Sequence, residues 1–408
     1  MDCYTRKDCR LCGSSNLDLV LSLGSSPLCD AYVLQPKSQE YFPLDVNLCE
    51  DCTFVQIDTV VNPEVIYRDY LYKTTSSFGL DTHFLNYRDE VCEYLSYTDN
   101  KLVVDIGSND GTLLSYFQNN NHRVIGVEPA VEIANAATSN GIDTFPNFFD
   151  PDTARLIVSK QGEADLVTVN NLFANIDDLH EFMNAVDILL DSDGVFVVES
   201  SYLYKMIQNM VFDFIYHEHL SYLAARPLQT FMKKIGMHLI NVDECNTKGG
   251  SLRYYFARMD SDWSVNDTVK DVLDAESSVD ALRQSFDNFA VEIKQQRDKL
   301  RDFLDSFKDQ KVVGYGASAT STTLISYFGL YDYLHYLVDD NIAKINTYSP
   351  GYNIPVHSAD KLLTESADII IVLAWRFRDE ILKKISGLSC RVVTPLPSFH
   401  ETLIGGKG

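Results

Sequence analysis

Four cysteines, Cys9, Cys12, Cys49 and Cys52, stand in two C-x2-C pairs, CRLCG and CEDC, separated by 36 residues. Each pair sets two thiolates on one tight turn, and two such turns close a tetrahedral, all-cysteine zinc site. Four sulfur ligands leave the metal no open position, so its expected role is structural; the other reading is four unrelated thiols. Cys3, Cys29, Cys92, Cys245 and Cys390 lack such spacing and read as small hydrophobes. A second cluster, Tyr216-His217-Glu218-His219, interrupts the apolar stretch FDFIYHEHLSY. These side chains can move protons and donate hydrogen bonds. The bland alternative is a polar loop edge with satisfied core histidines.

The elements that would position such groups follow the hydrophobic pattern. In KLVVDIGSNDGTLLSYF an apolar strand ends at Asp105, a small-residue loop runs through Gly107, Asn109 and Gly111, and Leu113, Leu114 and Phe117 resume at helical spacing. Twenty-three residues past Asp105, HRVIGVEPA supplies a second strand ending at Glu128 and Pro129, where a carboxylate is placed to accept from ribose hydroxyls. The loop lacks the dinucleotide fingerprint and suits S-adenosylmethionine better than NAD. Two more strands, ADLVTVNN and DGVFVVESS, alternate with a helical segment, so a parallel doubly wound sheet is expected. Its carboxyl edge would carry Asp105, Glu128, Asn170, Asn171, Asn175 and Glu199.

Residues 258–308 pattern as a long connecting helix with a solvated acidic face. KVVGYGASATSTTLI then repeats the strand-glycine-helix theme, with Gly314 and Gly316 in the loop and Asp339 and Asp340 ending the next strand. Such a loop permits close approach of a phosphate. Tyr348, Tyr352 and Trp375 read either as a pocket rim or as core.

Composition narrows the class. The 408 residues, 45% hydrophobic and 12% aromatic, suffice for two to four folded domains. A formal net charge of -24 opposes nucleic-acid and anionic-membrane partners, which need a basic patch. No signal-peptide pattern and no apolar run of about 18 residues is present, so the expected location is cytoplasmic, with reduced cysteines.

In order, CRLCG with CEDC, DIGSNDGTLL, GVEPA, NLFANIDDL, IYHEHLSY, TKGGSLRYY and VGYGASATST resemble the motifs of the sugar C-methyltransferases, which methylate a carbon of nucleotide-linked keto-deoxysugars. The resemblance implies an α/β protein in parts: a zinc-binding domain (1–65), a class I, Rossmann-like S-adenosylmethionine-dependent methyltransferase domain (66–257), a helical connector (258–308) and a C-terminal Rossmann-like domain (309–408) closing over the sugar nucleotide. It implies His219 as the base that removes a proton next to a keto group, Glu218 as its orienter or a hydroxyl-binding carboxylate, and Tyr216 as a hydrogen-bond donor, with His217 pointing away. YLYKTTSS resembles the family's substrate segment, so Tyr70, Tyr72 and Ser76 are expected beside the sugar, with Arg253, Gly316, Ser318 and Tyr352 also toward the substrate. Two positions depart from the family pattern. Asn175 stands where a histidine serves, and it can hydrogen-bond but not accept a proton. Lys248 replaces another frequent histidine, and pairs either with a substrate phosphate or carboxylate or only with solvent. A different sugar, a different carbon or a different reaction, including O- or N-methylation, NAD-linked epimerase or oxidoreductase chemistry, or sugar-nucleotide binding without catalysis, stays open. A monomer or weak homodimer is expected.

Overall fold

In the interval between the two cysteine pairs, Leu17–Pro27 and Tyr41–Cys49 form an antiparallel hairpin whose inward residues Leu44, Val46 and Leu48 are fully buried. Val55–Ile57 adds to it, and the outer strand, Ser221–Tyr222, comes from far along the chain. The zinc-region sheet is therefore completed by the residues that follow His219. This architecture comes from a computed structural model that describes residues 3–67, 80–95 and 100–405. Tyr70, Tyr72 and Ser76 lie outside the described residues.

The central sheet has seven strands in the order Met237–Cys245, Ser251–Arg258, Leu190–Ser201, Ala164–Asn170, Leu102–Ile106, Arg123–Val127 and Thr144–Phe145. The last five run parallel, and Ser251–Arg258 pairs antiparallel with both its neighbours. Near-continuous apolar runs such as LVVDI are buried along their whole length, as strands covered on both faces must be. The strand order reverses at Leu102–Ile106, which opens a crevice between its carboxyl end and that of Ala164–Asn170.

The C-terminal sheet has six strands in the order Val356–Ser358, Leu334–Asp339, Val312–Tyr315, Ile369–Val372, Cys390–Thr394 and His400–Ile404. All are parallel except the last. Where one connecting helix was expected there are two, Asp267–Ala275 and Val279–Asp305. The break is anchored by buried Glu276, which accepts from the backbone amides of Ala225 and Arg226 at 2.6 and 2.8 Å. The second helix buries Leu282, Phe286, Phe289, Ile293, Leu300 and Leu304 along one stripe. Near its start Arg283 pairs with Asp18 and Glu50, and in its second half Gln296 accepts from the Phe399 amide, so it bridges the zinc region and the C-terminal sheet.

Arg10, inside the first cysteine turn, is 1% exposed. Its Nε donates to Asp177 at 2.9 Å, and one terminal nitrogen donates to the carbonyls of Ile57 and Leu220 at 2.7 and 3.2 Å. Arg10→Met is expected to lower stability by about 1 to 3 kcal/mol, because it leaves the buried carbonyls of Ile57 and Leu220 without their donor, while Asp177 keeps Arg6 at 3.1 Å. Urea unfolding at unchanged zinc content checks this.

Candidate active site

The four cysteines converge. Cys9 and Cys52 bring their Sγ atoms to 3.5 Å, as do Cys12 and Cys49, and all four sulfurs lie within 4.8 Å of one another. Tetrahedral zinc with Zn–S bonds of about 2.3 Å needs sulfurs roughly 3.8 Å apart, so the donor set fits that ion and leaves it closed to substrate.

At the crevice of the central sheet lies a cavity of about 390 Å³, lined by Asp105, Gly107, Asn109, Glu128, Pro129, Asn170, Asn171 and Asn175 among others. This volume is in the range of a cofactor site. Gly111 sits just behind it, preceding the helix Thr112–Gln118. Glu128 accepts from the amides of Asn109 and Ala130 at 3.1 and 2.8 Å, one per carboxylate oxygen. Each oxygen keeps a second lone-pair direction, which is what two ribose hydroxyls require. Asp105 accepts from Thr168 Oγ1 at 2.6 Å and Asn170 Nδ2 at 3.3 Å, and burial pushes its carboxyl up to about 7. Phe148, Phe149, Leu172 and Ile176 give the cavity apolar walls suited to a flat base. These residues fit S-adenosylmethionine.

A second, small void of about 20 Å³ shares Asn171 and Lys248 with the first and is also lined by His219, Phe214, Ser200, Ser201, Ser221 and Tyr222. The short turn Phe212–Phe214 brings the Phe214 carbonyl under the imidazole of His219, whose Nδ1 donates to it at 2.8 Å. The proton is thereby fixed on Nδ1 and the lone pair on Nε2. Burial, with the charge of Lys248 acting the same way, lowers His219 to about 4, so the ring is neutral at physiological pH. The Tyr216 ring lies against it, tilted by 34° with ring centroids 4.1 Å apart. His217 turns away, its Nε2 donating to the Pro43 carbonyl at 3.0 Å while the ring packs edge-on against Phe42.

Several expected roles change. His219 is oriented by a backbone carbonyl, not by Glu218, whose carboxyl burial pushes up to about 8 with help from Asp30. Glu218 is thus mostly protonated and able to donate. Arg253, expected at the substrate, is 1% exposed; its Nε and one terminal nitrogen hold Glu199 at 3.0 and 2.9 Å, and the guanidinium lies 4.0 Å from the Tyr87 ring centroid. The strand register places Glu199 directly opposite Arg253. Gly316, Ser318 and Tyr352 line neither cavity. A Cβ on Gly316 would fall 2.7 Å from that of Ala374, Ser318 caps the helix Ala319–Phe328, and Tyr352 stacks on Tyr331 and meets Tyr41 edge-on.

Three family models match consecutive parts of the chain: a zinc binding domain at 9–67, a methyltransferase domain at 84–242 and a C-methyltransferase C-terminal domain at 246–397. The C-methyltransferase NovU of Streptomyces niveus is 31% identical over 400 residues, which is 96% of this chain and 95% of that protein. The chain belongs to this C-methyltransferase family. It is an S-adenosylmethionine-dependent methyltransferase with a structural zinc domain. Among solved structures, the magnesium protoporphyrin IX methyltransferase of Synechocystis PCC 6803 with bound SAH is 12% identical over 44% of this chain and 84% of its own, with a TM-score of 0.35. The plantazolicin methyltransferase BpumL in complex with SAH is 11% identical over the same shares, also with a TM-score of 0.35. No helix among the described residues is long and apolar enough to cross a membrane.

Reading the sequence misses Asp177, a wall of the cofactor cavity held by Arg10, and Asp213. Asp213 is fully buried and accepts from Trp375 Nε1 at 2.9 Å and from Arg376 at 3.0 Å, joining the turn before His219 to the C-terminal sheet. It also misses Ser221 and Tyr222, which line the small void and whose buried hydroxyls, among the described residues, have no hydrogen-bond partner. The apolar setting of FDF and the distance in sequence to Trp375 give no local sign of these contacts.

Glu128→Ala is expected to weaken binding of S-adenosylhomocysteine by about 1.5 to 3 kcal/mol, the range for a charge-assisted hydrogen bond. Titration calorimetry on the folded variant checks it; unchanged affinity would move the ribose elsewhere.

Proposed function

We propose that this C-methyltransferase acts on a nucleotide-activated keto-deoxysugar, methylating a carbon next to the keto group. The observation that carries the reading is His219: a neutral imidazole with its proton held on Nδ1, lining a small void that shares a wall with the cofactor cavity. Carbon next to a ketone becomes nucleophilic only when its proton is removed, and an imidazole nitrogen with a free lone pair is suited to that task. The sugar-nucleotide class rests on the resemblance of the motifs to those of the sugar C-methyltransferases.

In this reading S-adenosylmethionine, held by Glu128, Asn109 and the Asp105 strand end, supplies an electrophilic methyl group. His219 Nε2 takes the proton from carbon. Tyr216 fixes the ring from one side while the Phe214 carbonyl fixes it from below. Asn175, on the cofactor side, orients the acceptor; Glu218, protonated by burial, lines neither cavity. Glu199, shielded behind these groups, is kept ionised: burial opposes its charge, but His83 at 2.7 Å and Arg253 hold its carboxyl below the usual range.

His219→Asn is expected to lower turnover by roughly 10² to 10⁴, the worth of a positioned base, with S-adenosylhomocysteine affinity nearly intact. Turnover on a nucleoside diphosphate 4-keto-6-deoxyhexose, read beside calorimetry, checks both halves. A variant that retained full turnover would remove His219 from the reaction.

A further inference from the structure

The turn Thr247-Lys248-Gly249-Gly250 is held in an unusual shape. Lys248, Gly249 and Gly250 take φ values of 53°, 88° and 120°, three consecutive residues in a region that side chains with a Cβ avoid. Glycine is required at two of them by space as well, since a Cβ on Gly249 would come within 2.9 Å of Val211 Cγ2 and one on Gly250 within 2.6 Å of Lys205 Cβ. Asn209 Nδ2 donates to the Gly249 carbonyl at 2.8 Å, and the Tyr202 amide donates to that of Gly250 at 3.1 Å, so the shape is pinned from the neighbouring helix. Strain of this kind persists only where the surroundings enforce it.

What the turn presents is a lysine at the junction of two cavities, for Lys248 lines both the cofactor cavity and the void beside His219. Two acids stand near enough to feel its charge, yet neither is placed to neutralise it. Glu199 commits one oxygen to His83 and the other to Arg253. Glu218 is held largely protonated by burial. Among the described residues the ammonium has no carboxylate within 4.0 Å and no hydrogen-bond partner. Burial works against its charge, and so does nearby Arg376. An ammonium without a partner inside a cavity wall is suited to an anion that is present only when the site is in use.

Resting on the reading above, we propose that Lys248 is a catalytic residue that holds the oxygen of the acceptor's keto group and stabilises the enolate. His219 and Lys248 face the same small void, so one site offers a base for the proton and a cation for the oxygen. The electron count is closed within it. His219 Nε2 forms a bond to the proton, the C–H pair becomes the C=C bond, and the carbonyl π pair moves onto oxygen, whose charge is opposed by the ammonium. Donors preorganised toward a developing oxyanion act where water is excluded, which is where they contribute most.

The test is solvent-deuterium exchange into the carbon next to the ketone of a nucleoside diphosphate 4-keto-6-deoxyhexose, followed by mass spectrometry, with zinc-loaded full-length enzyme and S-adenosylhomocysteine bound. Lys248→Met is expected to slow exchange about 10²- to 10³-fold, as loss of one oxyanion donor does, while S-adenosylhomocysteine affinity stays within a factor of about two. If Lys248→Met does not fold, Lys248→Gln, which keeps length and polarity, is read in the same way. Exchange at the wild-type rate in the folded variant would overturn the inference and leave the enolate reading standing. Weakened S-adenosylhomocysteine binding with exchange spared would also overturn it, by assigning the ammonium to the cofactor's carboxylate. Absence of exchange in the wild type would overturn the enolate reading itself, and this inference with it.

Discussion

A single guanidinium, that of Arg10, joins the metal region to both halves of the reaction centre. It grows out of the first cysteine turn, so closing the zinc site fixes its backbone. Its donors then reach Asp177, a wall of the cofactor cavity, and the carbonyl of Leu220, the neighbour of His219. A buried ion pair contributes little net stability compared with an apolar replacement of both partners, but it tolerates few geometries. Structural zinc is thereby given a function in the site without touching substrate. The pairing of Ser221–Tyr222 with Val55–Ile57 reinforces the link, because the strand that completes the zinc-region sheet begins two residues after His219.

The candidate reaction centre is built where three parts of the chain meet. The central sheet supplies the cofactor crevice at its reversal point, and the turn Phe212–Phe214 supplies the carbonyl that sets the His219 tautomer. The short turn Trp375–Phe377, which follows the strand Ile369–Val372 of the C-terminal sheet, supplies Trp375 and Arg376, which hold buried Asp213 and so fix the turn Phe212–Phe214. Burial acts in opposite directions on neighbouring groups. It keeps the imidazole of His219 neutral and the carboxyl of Glu218 protonated, so a base and a hydrogen-bond donor coexist one residue apart.

The sequence conveys whatever depends on local spacing. Duplicated C-x2-C turns locate the four-sulfur cluster, and the strand-loop-helix pattern with Glu128 locates the cavity at the sheet's crevice, because short intervals translate directly into geometry. It does not convey contacts made by register or by distant docking. Arg253 looks like a substrate ligand until the antiparallel register sets it opposite Glu199. Tyr352 reads either as a pocket rim or as core until the zinc region packs on it through Tyr41. The connector reads as one helix because its heptad-like pattern runs on, while the break is imposed by Glu276 capping two amides some fifty residues earlier in the chain. His219 is identifiable from its motif, but its tautomer is set by a backbone carbonyl that no side-chain pattern records.

The central claim is that the methyl group is delivered to carbon in a site built for proton removal. The most direct measurement is nuclear magnetic resonance of the product formed from S-adenosylmethionine carrying an isotopically labelled methyl group and a nucleoside diphosphate 4-keto-6-deoxyhexose labelled throughout its ring. The account predicts a one-bond coupling between the transferred methyl carbon and the ring carbon next to the ketone. A methyl resonance without carbon coupling, at the shift of a group bound to oxygen or nitrogen, would contradict it.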